Sequence, residues 1–358
     1  MVDWLAGKRV RGTSSERTPL GVTLGGTGVG GWVELGRTTL GSASETLEVT
    51  DFADKRYLMF LIDGKPVSSE FQTVLQTGNS SFDTGSNYAS RSSENGGADG
   101  TNTSFPYNQL SPSTSLSELF AVGYWANYAS KEKLVQVWAT KRETAGAANA
   151  PSRKESVGKW ANTSNVIDRL RVNENGSGTI NTNSEMVVLG WDPADTHTNN
   201  FWEELASVDL GSDGDNLSSG TITAKKYLWV QYWLDISGSN QANITFNNDT
   251  GTNYAYRRSE DGGADATTTS VANIRQHNSA SSVYRFGNLF IVNNASNEKL
   301  VTSDVLEVVT TGAATAPQRM EVVGKWDNTS NQITEIDIDN PNAGDFLTGS
   351  KLRVWGAD

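Results

Sequence analysis

Short segments in which apolar and polar residues alternate follow one another along most of the chain. Thr46–Thr50, which reads TLEVT, alternates strictly, as expected for a strand with one face in solvent. Such segments are five to ten residues long and end at Gly, Asn, Asp, Ser or Pro. No stretch of a dozen residues has a clear helical period. The pattern therefore predicts an all-β chain of short antiparallel strands.

Nine strands are predicted in the first half of the chain, together with a hairpin around a Gly-rich turn at residues 83–99. The strands are Trp32–Thr39, Glu45–Thr50, Arg56–Asp63, Phe71–Gln76, Glu118–Asn127, Glu132–Thr140, Arg153–Trp160, Val166–Val172 and Glu185–Gly190. Eight to ten strands in about 160 residues favour a two-sheet sandwich of jelly-roll type. An immunoglobulin-like sandwich fits less well, because it needs only about 100 residues.

The two halves of the chain repeat each other. ESVGKWANTSN at Glu155–Asn165 returns as EVVGKWDNTSN at Glu321–Asn331, 166 positions later. Near the start of each half the offset is 170, since Trp32 pairs with Trp202. Two repeats of this size are sibling domains rather than a solenoid. We predict tandem, homologous antiparallel β-sandwich domains at residues 32–192 and 202–358, joined by a polar linker at 193–201.

Residues 1–31 differ from the repeats. They carry a few basic side chains between Lys8 and Arg17 and a Gly-rich stretch at Gly25–Gly31. Gly raises the entropy of a free segment, so a disordered tail is one interpretation. The other is an N-terminal extended arm that docks on a neighbouring subunit, which is the interpretation we adopt for an assembled protein.

Charge and composition exclude several partners. The formal net charge of −12 argues against nucleic acid, because duplex binding needs clustered Lys and Arg. The longest apolar run, Tyr57–Ile62, is too short to span a bilayer, and no signal-peptide core is recognised at the N-terminus. The sequence contains no Cys, so disulfides and thiolate chemistry are excluded.

The repeated Asp- and Gly-rich hairpins are one candidate metal site. Asp83 and Asp99 lie 16 positions apart, as do Asp249 and Asp265. Two carboxylates and turn carbonyls are oxygen ligands suited to Ca²⁺, the one cofactor considered for this chain. The alternative is that Asp, Asn and Gly simply form tight turns, because no EF-hand spacing is present.

The same hairpins contain a candidate glycan-binding patch. It comprises Tyr88 and Arg91 in the first repeat and Tyr254 and Arg257 in the second. The reason is that aromatic rings stack on sugars. Packing of these side chains in the core or at a strand edge is the alternative.

The repeated GKW motif predicts a buried tryptophan. On a strand, Glu155 and Lys159 share one face, whereas Trp160 lies on the other. We expect a buried Trp160 beneath a surface Glu–Lys ladder, and the same at Glu321, Lys325 and Trp326. A binding role for the tryptophans is the alternative.

No catalytic constellation emerges from the sequence, and we predict that the protein is not an enzyme. The two histidines, His197 and His277, occupy positions that are not equivalent between the repeats. A Ser/His/Asp triad or a zinc site is therefore not supported. Paired carboxylates of a glycan-degrading enzyme stay open, because sequence spacing does not fix their separation.

Three segments together resemble virion structural proteins of marine viruses of bacteria and archaea. They are KRVRGTSSERT at Lys8–Thr18, the VGKW and NTSN block of each repeat, and the closing GSKLRVWGAD at Gly349–Asp358. The resemblance covers most of the chain but transfers no functional residues. It implies a component of a virus particle that carries β-sandwich domains.

The first hypothesis is therefore a virus structural protein located in the virion. It would act as a capsid, decoration, fibre or tail component, with other copies of itself and other virion proteins as partners. The second is a tandem lectin-like adhesin that binds host-surface glycans, where two weak sites would gain from avidity.

Overall fold

The computed structural model describes residues 31–67, 72–111, 118–175, 178–192, 200–277, 280–281 and 283–358. Within these residues the regular secondary structure is β-strand. The predicted arm at 1–31 and the predicted linker at 193–201 lie almost wholly outside the described residues. In the part of the chain that is described, no helix has the length and apolar character needed to cross a membrane.

The two repeats contain thirteen and fourteen strands. Those of repeat 1 are β1 Val33–Thr39, β2 Thr46–Val49, β3 Tyr57–Gly64, β4 Thr73–Asn79, β5 Ser81–Phe82, β6 Tyr88–Glu94, β7 Gly100–Phe105, β8 Asn108–Gln109, β9 Leu119–Ala126, β10 Lys133–Lys141, β11 Ser152–Trp160, β12 Arg169–Glu174 and β13 Glu185–Trp191. Those of repeat 2 are β14 Glu203–Asp209, β15 Asn216–Ser218, β16 Tyr227–Asp235, β17 Ser239–Asn240, β18 Asn243–Phe246, β19 Tyr254–Glu260, β20 Ala266–Val271, β21 Ile274–Arg275, β22 Ala280–Ser281, β23 Tyr284–Val292, β24 Lys299–Val308, β25 Gln318–Trp326, β26 Ile336–Asp339 and β27 Lys351–Ala357.

In each repeat a large antiparallel sheet of eight strands packs on a smaller sheet. The large sheets have the orders β1-β13-β3-β9-β10-β11-β6-β7 and β14-β27-β16-β23-β24-β25-β19-β20. The smaller sheets are β2-β12-β4-β5, with β8 beside β4, and β15-β26-β18-β21, while β17 pairs with β22. The matching orders confirm the predicted fold class of two tandem, homologous β-sandwiches.

The strands outnumber the eight to ten predicted per repeat. The additional ones are the hairpin β6–β7 and pieces of two residues such as β5 and β8. Strand β7 reads GTNTSF, with no buried position, so it has little of the apolar alternation from which strands are recognised.

Each sandwich has its own apolar core between its large and its small sheet. Phe60, Leu75, Trp160 and Leu170 belong to the core of repeat 1. Trp326 lies at the equivalent place in the core of repeat 2, and both tryptophan side chains are fully buried. Both sheets contribute to the core of repeat 1, since Phe60 and Trp160 belong to the large sheet and Leu75 and Leu170 to the small one.

A third apolar cluster lies between the repeats, where the outer faces of the two large sheets meet. Its buried members are Met59, Leu61, Phe120, Val122, Val187, Leu189, Trp202, Tyr227, Phe290, Val292, Leu300, Trp355 and Ala357. Strand β3 is therefore buried on both faces, at seven of its eight positions. The spaces left between the sheets are small, about 40 Å³ beside Trp138 and Asp304, so the contact is tightly packed.

Both edges of each large sheet contain a β-bulge. The register shifts lie between Glu34 and Gly36, between Tyr88 and Ser90, between Glu204 and Ala206, and between Tyr254 and Tyr256. In all four the extra residue belongs to the edge strand, namely β1, β7, β14 or β20. A bulge bends its strand and interrupts regular pairing.

Candidate functional site

Asp83 and Asp249 accept hydrogen bonds in equivalent turns. The Trp160 indole donates to Asp83 Oδ2 at 2.7 Å, and the Trp326 indole donates to Asp249 Oδ2 at the same distance. Burial acts to raise the pKa of Asp249, but hydrogen bonds from Asn253 and Trp326 lower it overall. These carboxylates therefore fix the turn to the core tryptophan.

The predicted Ca²⁺ sites do not form. Asp83 and Asp99 lie at opposite ends of β6, and seven strand residues separate them by roughly 20 Å. The same holds for Asp249 and Asp265 along β19. Within the described ranges, no group of three or more His, Cys, Asp or Glu side chains could hold a metal ion. The prediction was wrong because it assumed that both Asp residues of each repeat lie in the same turn, whereas a whole strand separates them.

The predicted glycan patch is also wrong for its two tyrosines. Tyr88 and Tyr254 are fully buried, so neither ring can stack on a sugar. The Tyr88 hydroxyl donates to Thr77 O at 2.8 Å, and the Phe246 N–H donates to the Tyr254 hydroxyl at 2.9 Å. Burial raises the pKa of both phenols. They are core residues that tie the turn to the small sheet.

The GKW tryptophans are buried as predicted, but the Glu–Lys ladder beside them is not formed. Lys159 instead pairs across the strands with Glu132 at 2.8 Å, and Glu155 pairs with Arg153. Glu132 directly precedes β10, the strand that pairs with β11, and Arg153 lies two positions from Glu155 on the same face of β11. Residues four apart on one strand, in contrast, lie about 13 Å apart.

The outer face of each large sheet carries two surfaces, one at each end of its strands. The loop surface includes the loop that precedes β11 or β25. In repeat 1 it comprises Asp63, Phe120, Thr140, residues 144–151, Arg153 and Glu185. The groove surface is centred on the other end and extends along β19 to the turn before β20, and in repeat 2 it comprises Tyr227, Arg257, Asp265, Asn294, Glu298, Leu300 and Lys325. The loop surface of repeat 1 packs on the groove surface of repeat 2.

A buried ion pair anchors one side of this contact. Arg153 donates to Asp265 at 2.8 Å, and both side chains are almost wholly buried. Arg257 donates to the Pro151 carbonyl at 2.9 Å and lies 3.7 Å from Asp265. Burial alone would lower the pKa of Arg153, but the hydrogen bonds and charges of the carboxylates raise it. The guanidinium therefore stays charged inside the contact.

The loop at residues 144–151 covers a second ion pair. Lys325 lies 3.2 Å from Glu298, and both side chains are fully buried. Lys325 also donates to the Thr144 carbonyl at 2.7 Å, and the Gly146 N–H donates to Glu298 at 2.6 Å. Burial lowers the pKa of Lys325. The loop thus provides the hydrogen bonds that compensate for the removal of the pair from water.

Aromatic and charged side chains hold the opposite side. Phe120 and Tyr227 stack with ring centroids 6.4 Å apart, and the Tyr227 hydroxyl donates to Glu185 at 2.9 Å. Lys226 lies 3.3 Å from Asp63. Burial acts to raise the pKa of Glu185, but hydrogen bonds from Thr39 and Lys226 lower it overall.

Acidic side chains collect near the centre of the contact. Burial, together with the charges of Glu155 and Glu321, raises the pKa of Asp304 to about 7. Burial also raises the pKa of Glu155. The charges of Arg153 and Arg319 oppose the shift of Asp304.

The groove surface of repeat 1 is uncovered and contains a groove of about 630 Å³. Its lining includes Tyr57, Arg91, Tyr124, Leu134, Gln136 and Val157. Leu134 is 57% exposed and Val157 is 49% exposed. Of the predicted glycan residues, only Arg91 lies here, since Arg257 is held within the contact between the repeats.

Sequence reasoning missed both this groove and the contact between the repeats. The signal was present, because Tyr57–Ile62 (YLMFLI) is a continuous apolar run rather than an alternating one. Such runs are typical of strands that are buried on both faces. The run was considered only as a membrane span, so a partner for the outer face was not inferred from it.

No family model matches the sequence, and no curated protein matches it. Among solved structures, the chain is similar to domains LG4-5 of the mouse laminin alpha1 chain, with a TM-score of 0.20 and 11% identity over 90% of both chains. It is also similar to the LG1-3 region of the laminin alpha2 chain, with a TM-score of 0.20 and 8% identity, covering 87% of this chain and 64% of that one. The chain is an all-β protein with two β-sandwiches.

Proposed function

We propose that this chain is a structural protein that assembles through the outer faces of its β-sandwiches, as a component of a virus particle. One observation carries the assembly part of the proposal. Six large apolar side chains are exposed in the described residues, and five lie on or at the rim of these faces: Tyr128, Leu134, Val157, Trp233 and Leu306. The sixth is Val67.

Concentrated apolar exposure supports a contact surface. Single exposed apolar residues are normal, but their clustering on one face marks a site of protein interaction. The same kind of face is already buried within the chain, where the outer sheets meet. The surface therefore has the chemistry of an interface.

The virion part of the proposal rests on the resemblance of Lys8–Thr18, the VGKW and NTSN blocks and the closing segment to virion proteins. The proposal includes capsid, decoration, fibre and tail components of the particle. An arm at residues 1–31 that ties subunits together stays a prediction, as does the absence of enzymatic activity. Surfaces, rather than a reactive cleft, would perform the function.

Electron microscopy of the purified full-length chain, with light scattering over a range of concentrations, tests the proposal. Ordered rings, sheets, fibres or particles that form without added ligand are the expected result. A chain that stays monomeric at every concentration would contradict it.

The groove favours a second candidate, a glycan-binding adhesin. Tyr57 and Tyr124 offer aromatic faces there, and Arg91 and Gln136 offer polar groups. This site replaces the one predicted at Tyr88 and Tyr254. Binding on a glycan array that is lost in Tyr57→Ala, in a chain that forms no ordered assemblies, would favour this candidate over the first.

A further inference from the structure

The contact between the repeats covers one of the two surfaces on each large sheet, together with the centre of both outer faces around Trp138, Glu155, Asp304 and Glu321. It joins the loop surface of repeat 1 to the groove surface of repeat 2. The groove surface of repeat 1 and the loop surface of repeat 2 are left uncovered. Because the repeats are homologous, these two free surfaces are copies of two surfaces that already bind each other.

We propose that the loop surface of repeat 2 in one chain docks on the groove surface of repeat 1 in a second copy of the chain, reproducing the contact that joins the repeats. This inference rests on the proposed function of assembly and names the partner and both surfaces. The observations that carry it are the hydrogen-bonding groups and the apolar side chains that recur at equivalent positions.

The loop that would dock recurs almost unchanged. GAANAP at Gly146–Pro151 returns as GAATAP at Gly312–Pro317, and Arg319 stands where repeat 1 has Arg153. In repeat 1 this segment is held against repeat 2, whereas residues 310–317 are exposed. The backbone groups that bind Glu298 and Lys325 in one copy are therefore free in the other.

The groove that would receive the loop already holds the matching ion pairs. Glu132 and Lys159 are 2.8 Å apart and partly exposed, in the same arrangement as the buried pair Glu298 and Lys325. Arg91 lies 3.4 Å from Asp99, as Arg257 lies 3.7 Å from Asp265. Docking would place Arg319 of one copy against Asp99 of the next.

Where the free surfaces differ from the joined ones, they are more apolar. Leu306 replaces Thr140, Trp233 replaces Asp63, and Tyr128 replaces Asn294. All three replacements are exposed, at 51%, 42% and 39%. Burying Leu306 and Trp233 of one copy against Tyr128, Leu134 and Val157 of the next would gain roughly 25 cal/mol for each Å² removed from water. The apolar replacements are thus placed where a second copy would cover them.

The contact would be heterologous, since it joins two different surfaces. Such contacts build rings when the rotation closes, and filaments when it does not. Each chain would use one surface to accept a neighbour and the other to dock on the next. A chain that is altered at one surface could therefore only terminate an assembly of unaltered chains.

Two matched variants and one control test the proposal in the full-length chain. Leu134→Glu alters the groove surface of repeat 1, and Leu306→Glu alters the loop surface of repeat 2. Val67→Glu is the control, because Val67 is the one exposed large apolar side chain among the described residues that lies off both surfaces. All three positions are exposed, so folding should be retained, and circular dichroism checks this. Sedimentation velocity should give at least about a tenfold weaker self-association for the first two variants and no change for the third.

Mixing the two altered chains provides the sharper readout. Each variant alone should remain monomeric, because its one intact surface has no intact partner. The mixture should form a 1:1 dimer that does not grow, since Leu134→Glu retains the loop surface and Leu306→Glu retains the groove surface. A mixture that stays monomeric would overturn the proposal.

A charge exchange tests the predicted ion pair. Asp99→Arg and Arg319→Glu should each weaken self-association, and the double variant should restore it. If ordered assemblies form and persist unchanged in Leu134→Glu and Leu306→Glu, this inference fails while the proposed function stands. If the unaltered chain does not assemble, the proposed function fails with it.

Discussion

The ion pairs Glu298–Lys325 and Glu132–Lys159 occupy equivalent positions in the two repeats, but one is buried and the other is partly exposed. In repeat 2 the pair is completely buried beneath the loop of repeat 1. In repeat 1 the pair has similar geometry but is partly exposed. The surrounding loop, rather than the pair's own residues, therefore decides whether these charges are removed from water. A surface that is buried in one repeat is a reliable guide to what its twin could bind.

The surroundings of the core tryptophans match closely between the repeats. Lys133 lies 5.6 Å from the Trp160 ring, and Lys299 lies 5.6 Å from the Trp326 ring. Packing in a dense interior penalises most changes of volume, whereas the outer face must only suit its neighbour. Away from the tryptophans the cores differ as well, since Trp125 of repeat 1 stands where repeat 2 has Ile291.

The largest expected effect checks that the cores are equivalent. Trp160→Ala and Trp326→Ala should each lower the free energy of unfolding by about 3–5 kcal/mol, because each leaves a large cavity. Urea unfolding followed by fluorescence measures both losses. A difference of more than about 1.5 kcal/mol between the two variants would contradict the equivalence, since matched sites should lose matched amounts.

The next effect separates the covered surface from the bare one. Asp265→Ala should cost about 3–5 kcal/mol, because it leaves the Arg153 charge buried without its main partner. Asp99→Ala should cost no more than about 1 kcal/mol, because Asp99 pairs with Arg91 in solvent. Unfolding of dilute protein, below any self-association, gives both values. Equal losses would contradict the asymmetry between the repeats.

A pH effect of intermediate size arises from Asp304. Its folded-state pKa of about 7 lies above the value of an unfolded aspartate, so the folded chain binds more protons between about pH 4 and pH 7. Stability should therefore fall as pH rises through this range, by at most about 4 kcal/mol from this group. Asp304→Asn should remove that part of the slope in urea unfolding at pH 5 and pH 8. An unchanged slope would contradict the role of Asp304.

The smallest effect lies on the bare surface. Glu132→Gln should change the stability of the monomer by no more than about 1 kcal/mol, because an exposed ion pair contributes little. Glu298→Gln should cost clearly more, since it alters the pair beneath the loop. Thermal unfolding of both variants at one low concentration makes the comparison.

The duplication and the strands could be predicted because they depend on local patterns. The 166-residue offset predicted equivalent tryptophans, and alternation along segments such as Thr46–Thr50 predicted strands. The jelly-roll and immunoglobulin comparisons relied on strand counts, which missed pieces without apolar alternation such as β7. The fold class could therefore be predicted from the sequence.

The candidate sites could be predicted only in part, because they depend on direction and distance. Asp83 and Asp99 flank one hairpin in sequence, but a strand carries its ends apart in space. Tyr88 sits beside polar residues, yet the alternation of the strand turns its ring inward. The contact between the repeats depends on which outer faces meet, and local patterns do not specify this. Only continuous apolar runs such as Tyr57–Ile62 indicated that the outer faces are buried.

The bulges at the edges of the large sheets have a consequence for the way copies of this chain combine. Backbone groups on a smooth edge invite another chain to add a strand, which is the route to amyloid-like fibres. Here the extra residue falls on the outermost strand at both edges of both sheets. The bulges therefore disfavour a continuous sheet that runs from one molecule to the next. Associated copies should keep separate β-sandwiches, and their assemblies should give no cross-β diffraction.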